Sequence, residues 1–347
     1  EMGHVIDRKY FVDNAGMDST PYIGMGCQNA APGGAEDTSA ALAEAIRARN
    51  IRQVVIAARG TSDHAATYAK YLIEIYCGIP VSLAAPSVYT LYARKVDLSG
   101  CLVLGISQSG QALDVVQTLE SAQEVGALTA CITNVEGSSL TKVSDFALYC
   151  LAGEEKAVAA TKTYTASLVL IALLVAHWSG ETSLLEGLKQ LPEQIAQVLP
   201  LAEQIEKTVE RYRYIEECAV LARGLNQATA LEAALKMTET SYLVAKAYSM
   251  ADFLHGPIAI VSEGFPCFLY APDGYAYPSM LELAQKLESR GAETVIFAHS
   301  AEILGLATRP IAVPVNINES LSPLLYIVPG QLWANYLSVA RGQNPDR

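Results

Sequence analysis

Val103-Leu104-Gly105-Ile106-Ser107-Gln108-Ser109-Gly110-Gln111 is the stretch on which the fold turns. An apolar run with β-branched residues stops at a Ser-Gln-Ser-Gly turn, and a helix-patterned segment, Leu113 to Val125, follows. This pattern predicts a buried strand, a polar loop and a helix N-terminus. Small hydroxyls and the first N–H groups of a helix converge at such a junction, and the helix dipole favours an anion there. No Lys or Arg lies between Lys95 and Lys142. A phosphate held by this loop would therefore be held by neutral donors, which suits a sugar phosphate better than a nucleotide.

Outward from this junction, strands and helices alternate. Val54–Ala58, Val81–Ala84, Cys101–Ile106, Leu128–Thr133 and Phe146–Leu151 read as strands. Residues 36–50, Asp63–Tyr76 and Leu113–Val125 read as helices, with a further short helix ending near Tyr92. Alternation of this kind implies an α/β fold, a parallel sheet with helices on both faces, and ligands beyond the C-terminal strand ends. Residues 161–215 carry no strand pattern and read as helices. The pattern then restarts: Ala219-Val220-Leu221-Ala222-Arg223-Gly224 mirrors Ile56-Ala57-Ala58-Arg59-Gly60, and strands follow at Pro266–Tyr270, Thr294–Ala298 and Ile311–Val315. The expected organisation is an irregular arm over 1–35 and two copies of one doubly wound domain, over 36–200 and 201–347.

Of the 347 residues, 51% are apolar and 17% charged, which supports large cores and a buried subunit interface. The net charge of −12 argues against nucleic-acid binding, which wants a basic face. The seven cysteines are scattered and never form a CxxC pair, so they read as buried thiols in a reducing cytosol, with no zinc site signalled. No signal peptide is visible, and the longest greasy stretch, Ser167–Ala176, is too short to cross a bilayer. It reads as a buried helix, and the protein as cytoplasmic.

Four groups of residues could carry chemistry. Arg59-Gly60-Thr61-Ser62 ends the first strand, where Gly60 permits a tight turn and Ser62 could cap the next helix. Glu154–Thr165 follows the last strand of the first half and could close over the same pocket. Glu232, Lys236 and Glu239 are spaced i, i+4, i+7, so they share one helical face. Such a stripe is ordinarily an exposed salt-bridge ladder, but this helix is otherwise Ala-, Leu- and Met-rich. His255 precedes a Gly-Pro break that places its imidazole on a loop, and His64 is its one rival among the histidines.

Taken together, these residues resemble the sugar isomerase (SIS) domain family, in particular the isomerase half of glucosamine-6-phosphate synthase and stand-alone glucosamine-6-phosphate deaminase-like isomerases. The likeness runs from about Ile51 onward. It rests on Gly60-Thr61-Ser62, Ser107-Gln108-Ser109-Gly110, Asn134-Val135-Glu136-Gly137-Ser138-Ser139-Leu140, Val158-Ala159-Ala160-Thr161-Lys162 and Leu231–Pro257. The resemblance implies two flavodoxin-like SIS subdomains. It implies that Ser62, Ser107, Gln108 and Ser109 bind the phosphate of a hexose 6-phosphate, and that Thr61, Val158 and the Ala160 position face the sugar. It implies that Glu239 moves a proton between C1 and C2 with Lys236 beside it. His255 would assist ring opening, reaching across from the partner of a homodimer. No metal or redox cofactor is implied.

The sequence departs from the synthase pattern at Gln111-Ala112, where a phosphate-binding Thr is lost, and at Ala160, where a Ser is lost. Residues 1–35 are too few for a glutaminase domain, and the sequence ends at Arg347, short of the family's tail lysine. The expected activity is deamination of glucosamine 6-phosphate to fructose 6-phosphate and ammonia. A fructosamine 6-phosphate deglycase and a non-catalytic sugar-phosphate sensor are the alternatives.

Overall fold

The computed structural model describes residues 34–153, 155, 157 and 159–345. Their contacts divide them into two compact units, one built mainly from 34–155 with 160–189 and the other from 190–345.

The first unit opens with α1 (Gly34–Ala48), so the last two residues assigned to the arm belong to a helix. There follow β1 (Gln53–Ala57), α2 (Thr61–Cys77), β2 (Val81–Leu83), the short α3 (Ser87–Thr90), β3 (Cys101–Ile106), α4 (Leu113–Glu124), β4 (Leu128–Thr133), α5 (Ser139–Lys142), β5 (Phe146–Tyr149) and α6 (Lys162–Ser179). The five strands form one parallel sheet in the order β2-β1-β3-β4-β5. Every residue of β3 and β4 is buried. Strands covered on both faces need continuous apolar runs rather than alternation, which is how these two read in the sequence. Ser167–Ala176 lies within α6, whose residues are largely buried, so this stretch is an interior helix as expected. Among the described residues no helix is long and apolar enough to cross a membrane.

α7 (Thr182–Val198) and α8 (Leu201–Val209) complete the strandless middle. The second unit then lays down β6 (Glu217–Ala222), α9 (Gln227–Ser241), β7 (Val244–Ser249), α10 (Met250–Leu254), β8 (Pro266–Ala271), α11 (Tyr277–Ser289), β9 (Glu293–Ala298), α12 (Ala301–Leu304), β10 (Arg309–Ala312) and α13 (Ser322–Ala340). Its parallel sheet runs β10-β9-β8-β6-β7. Numbered from its own first strand, that is again 2-1-3-4-5, the flavodoxin-like order. The repeat inferred from Ala-Arg-Gly is therefore a repeat of topology.

Two details differ from the sequence reading. β7 was not expected. It is an edge strand with Val244 and Lys246 turned outward, so it lacks the apolar run that marks a buried strand. The last strand spans 309–312 rather than 311–315, because Pro314 and the loop beyond it leave the sheet. The core of this unit centres on α13, whose Trp333 meets Tyr212, Phe268 and Phe297 edge-on at 5.2, 5.1 and 6.0 Å. Such aromatic pairs add to the burial of their area.

The described cysteines bear out the reading of buried thiols. Cys101, Cys131, Cys150, Cys218 and Cys267 are buried and Cys77 half-buried, all unpaired. Burial pushes Cys131 up to about 11 and Cys77, Cys150 and Cys267 up to about 12, so these thiols stay protonated and unreactive. Cys27 lies outside the described residues.

Candidate functional site

In the first unit the site is built at the C-terminal ends of β1, β3 and β4. Ser107 continues β3 and donates its N–H to the Ile132 carbonyl at 3.0 Å. Ser107 is buried, whereas Gln108 and Ser109 are exposed. The Gln108 carbonyl is held from two sides, by the Asn134 N–H at 3.0 Å and the Thr133 hydroxyl at 3.2 Å. The Gly110 carbonyl takes the Leu140 N–H at 2.9 Å. These bonds spend the loop's carbonyls on the scaffold. Gly110 has φ of +61°, and a Cβ there would come within 2.2 Å of the Ser138 hydroxyl. Only glycine fits both the backbone and the space. α4 then starts from Ala112, which has no side chain to cap it; nearby, the Ser109 hydroxyl accepts the Gln111 N–H at 3.2 Å and Asp114 accepts the Val115 N–H at 3.0 Å.

At the end of β1 the structure corrects one expectation. α2 begins at Thr61 with Gly60 as its N-cap, so Ser62 is the second residue of the helix and does not cap it. Both Thr61 and Ser62 remain on the first turn of α2, on the same end of the sheet as the Ser107–Gly110 loop. Arg59 pairs with Asp114 in the first turn of α4 at 2.6 Å. A cation thus stands near the loop, which the search for Lys or Arg within 95–142 overlooked. Its charge is already matched by a carboxylate. Beside it, burial raises the Asp63 carboxyl, with His64 and Arg59 opposing.

The segment after β5 is tied at both ends. The Asn134 side chain accepts the Ala152 N–H at 2.8 Å and donates to the Gly153 carbonyl at 2.7 Å. Farther on, Glu155 Oε1 accepts from the Thr161 N–H, the Thr163 N–H and the Thr163 hydroxyl at 3.1, 2.9 and 3.0 Å. It serves as the cap that Thr161 does not provide for α6. Ala160 is half-buried just before this turn. Val158 lies outside the described residues. In the sequence Asn134 stands in a motif with no task of its own, and Glu155 only within the segment Glu154–Thr165 expected to close over the pocket. Only the chain path that brings β4 beside β5 shows what each holds.

In the second unit, α9 carries Glu232, Lys236 and Glu239. The ordinary exposed ladder is excluded: the Glu232 and Lys236 side chains are 0% and 2% exposed, and Glu239 is 34% exposed. The Lys236 Nζ lies 2.7 Å from Glu239 Oε2 and 3.4 Å from Glu232 Oε1. The i, i+4 spacing favours Glu232 as the partner of Lys236, but the lysine sits nearer Glu239. A buried ammonium between two carboxylates carries a desolvation cost. Of the three, only Glu239 is partly exposed. His255 is exposed at the end of α10, where Gly256-Pro257 breaks the chain, as expected.

A family model described as SIS domain matches twice, over residues 48–177 and 216–341. The chain belongs to the SIS domain family. The two SIS matches fall on the two parallel sheets. Glutamine–fructose-6-phosphate aminotransferase (isomerizing) from Aquifex aeolicus is 35% identical over 304 residues, which is 87% of this chain and 51% of that protein. The chain thus spans about half the length of the curated relatives it matches. Among solved structures, a candidate phosphosugar isomerase from Silicibacter pomeroyi DSS-3 is 34% identical with a TM-score of 0.79, covering 90% of this chain and 93% of that one. The C-terminal domain of glucosamine-fructose-6-phosphate aminotransferase from Francisella tularensis is 27% identical with a TM-score of 0.82, covering 90% of this chain and 94% of that one. This SIS protein therefore shares both its fold and its tandem arrangement with these structures.

Proposed function

We propose that this chain is a phosphosugar isomerase acting on an amino-sugar 6-phosphate, with conversion of glucosamine 6-phosphate to fructose 6-phosphate and ammonia as its reaction. The observation that carries this reading is the buried Lys236 held between Glu232 and a half-open Glu239. Its likeness to phosphosugar isomerases and to aminotransferases of fructose 6-phosphate supports the substrate class.

The chemistry follows from the groups present. The Ser107–Ser109 loop, with Thr61 and Ser62, takes the phosphate through hydroxyls and backbone N–H groups at the end of the sheet. Ala160 lines the sugar, and the resemblance alone assigns Val158 there. In the open-chain form the C1 aldehyde acidifies the C2 proton. The Glu239 carboxylate removes that proton and returns it at C1, while O1 gains a proton and the nitrogen gives one up, which leaves a C2 imine and a C1 alcohol. Water adds to the imine and ammonia leaves, giving the ketose. Lys236 holds Glu239 in place through their 2.7 Å ion pair. General acid–base transfer of this kind contributes about 10²–10⁴-fold. His255, supplied by the partner of a homodimer, assists ring opening.

Ammonia release from glucosamine 6-phosphate, coupled to a dehydrogenase readout, tests the reaction. Exchange of the C2 hydrogen in heavy water tests the isomerase step without it. C2 exchange with no ammonia would keep the isomerase and remove the deaminase. Neither signal at saturating sugar phosphate would leave a binding module.

A further inference from the structure

The second unit repeats the strand order of the first, so it also repeats the place where a ligand would sit: the loop after the third strand of the sheet. In the first unit this is the Ser107–Ala112 loop. In the second it is Pro272-Asp273-Gly274-Tyr275-Ala276, between β8 and α11. The two junctions share three features. Each has a positive-φ glycine three residues before its helix, Gly110 at +61° and Gly274 at +136°. Each helix starts from an alanine with no side-chain cap, Ala112 and Ala276. At each glycine an added Cβ would strike a polar group, Ser138 in one case and the Glu319 carboxylate at 2.4 Å in the other.

They differ in what takes the N–H after the glycine: in the first loop the neighbouring Ser109 hydroxyl accepts the Gln111 N–H at 3.2 Å, in the second a distant carboxylate does. Glu319 lies more than forty residues on, after β10, yet its two oxygens accept the Tyr275 N–H at 2.6 Å and the Ala276 N–H at 3.0 Å. Its backbone is fixed for this purpose. The Asn318 side chain caps the turn by accepting the Ser320 N–H at 2.9 Å, and the Ser322 hydroxyl donates to the Glu319 carbonyl at 2.6 Å. Buried Asn226 holds Ser322 in turn, at 2.6 Å. The segment after the fifth strand of this unit, the counterpart of 150–161, thus delivers a carboxylate onto the loop amides.

We propose that the second SIS repeat retains the anion site of its fold and that Glu319 fills it from within as an internal ligand. This does not depend on the assignment of phosphate to the Ser107–Ser109 loop. Glu319 is a stand-in ligand, held at the second repeat's counterpart of that loop.

The test is rescue by a small anion. Glu319→Ala should lower the thermal midpoint by about 3–10 °C, since it removes two hydrogen bonds to a charged group. Sodium acetate should restore several degrees of this, compared with sodium chloride at equal ionic strength, and should raise the midpoint of Glu319→Ala by more than it shifts the wild type. If Glu319→Ala does not fold in chloride, its refolding yield in acetate becomes the readout. Recovery no better than in chloride overturns the proposal. So does a Glu319→Gln protein as stable as wild type, because a neutral acceptor would then suffice. Neither arm touches the first unit. Loss of sugar-phosphate binding in Ser107 variants is a separate result and bears on the proposed function alone.

Discussion

At the scale of single residues, the question is which carboxylate moves the proton. Glu232 and Glu239 share one face of α9 and one lysine, and spacing alone favours Glu232 as the lysine's partner. That gives Glu232 a structural role and leaves Glu239 as the base we propose, which burial supports. Glu232 is sealed off, whereas Glu239 is open by about a third. Under the proposed mechanism, Glu239→Gln keeps sugar-phosphate affinity and loses C2 exchange by about two to four orders of magnitude. Glu232→Gln keeps measurable exchange, since Lys236 retains its nearer partner. Exchange at the wild-type rate in Glu239→Gln would end the assignment. Lys236→Met should cost about 3–5 kcal/mol, because it leaves buried Glu232 without its counter-charge. The phosphate assignment is tested separately. Ser107→Ala and Ser109→Ala should each weaken sugar-phosphate binding by about 1.5–3 kcal/mol, roughly tenfold to a hundredfold, with the thermal midpoint little changed. Unchanged affinity in both would move the phosphate elsewhere.

At the scale of elements, the strand–loop–helix junction was legible because buried parallel strands are written as apolar runs and the Ser-Gln-Ser-Gly turn interrupts one. Ser62 was misread because a serine just before a helix pattern resembles a cap, whereas Gly60 takes that position and Thr61 already begins the helix. β7 was not legible, since an edge strand needs no apolar run. The tasks of Asn134 and Glu155 were hidden for another reason: they bond across strands that are neighbours only in the folded sheet. The junction predicts its own sensitivity. Gly110→Ala combines a left-handed backbone, about 1–2 kcal/mol for a residue with a Cβ, with a collision at Ser138. It should lower the thermal midpoint by at least about 4 °C and abolish phosphate binding, whereas the same change at exposed Gly137 should leave binding intact. In the other unit, Glu293 at the start of β9 is bound by Arg211 at 2.8 Å and by Tyr212 at 3.0 Å, with Arg309 at 3.7 Å. Burial alone would raise this carboxyl, but those hydrogen bonds and charges bring it below the usual carboxylate range. A depressed carboxyl contributes stability above its unfolded pKa and loses it as the pH falls through the folded value. Glu293→Gln should therefore be less stable than wild type near neutrality, with the gap closing on acidification below the ordinary glutamate range. A gap in thermal midpoint that does not change with pH would exclude this linkage.

At the scale of the whole molecule, the repeat was readable because two Ala-Arg-Gly strand ends recur in the same order of elements, and the topology confirms it strand for strand. What the repeat does not supply is symmetry of function. The first unit presents the Ser-Gln-Ser loop, and the second presents α9 with its carboxylates and an exposed His255. We propose that the two units carry different parts of the chemistry and that a homodimer supplies His255. Mixing distinguishes a site shared between subunits from one built by a single chain. Glu239→Gln and His255→Ala are each expected to be inactive. When exchanged into mixed dimers, they yield one site with both groups intact only if His255 serves its partner. With equal amounts and free exchange, about a quarter of the wild-type sites are then restored. If His255 serves its own chain, every site in the mixture lacks one group and no activity returns. Sedimentation of the mixture and mass spectrometry of the exchanged dimers verify that exchange took place. Zero recovery after verified exchange would place both groups in one chain's pocket.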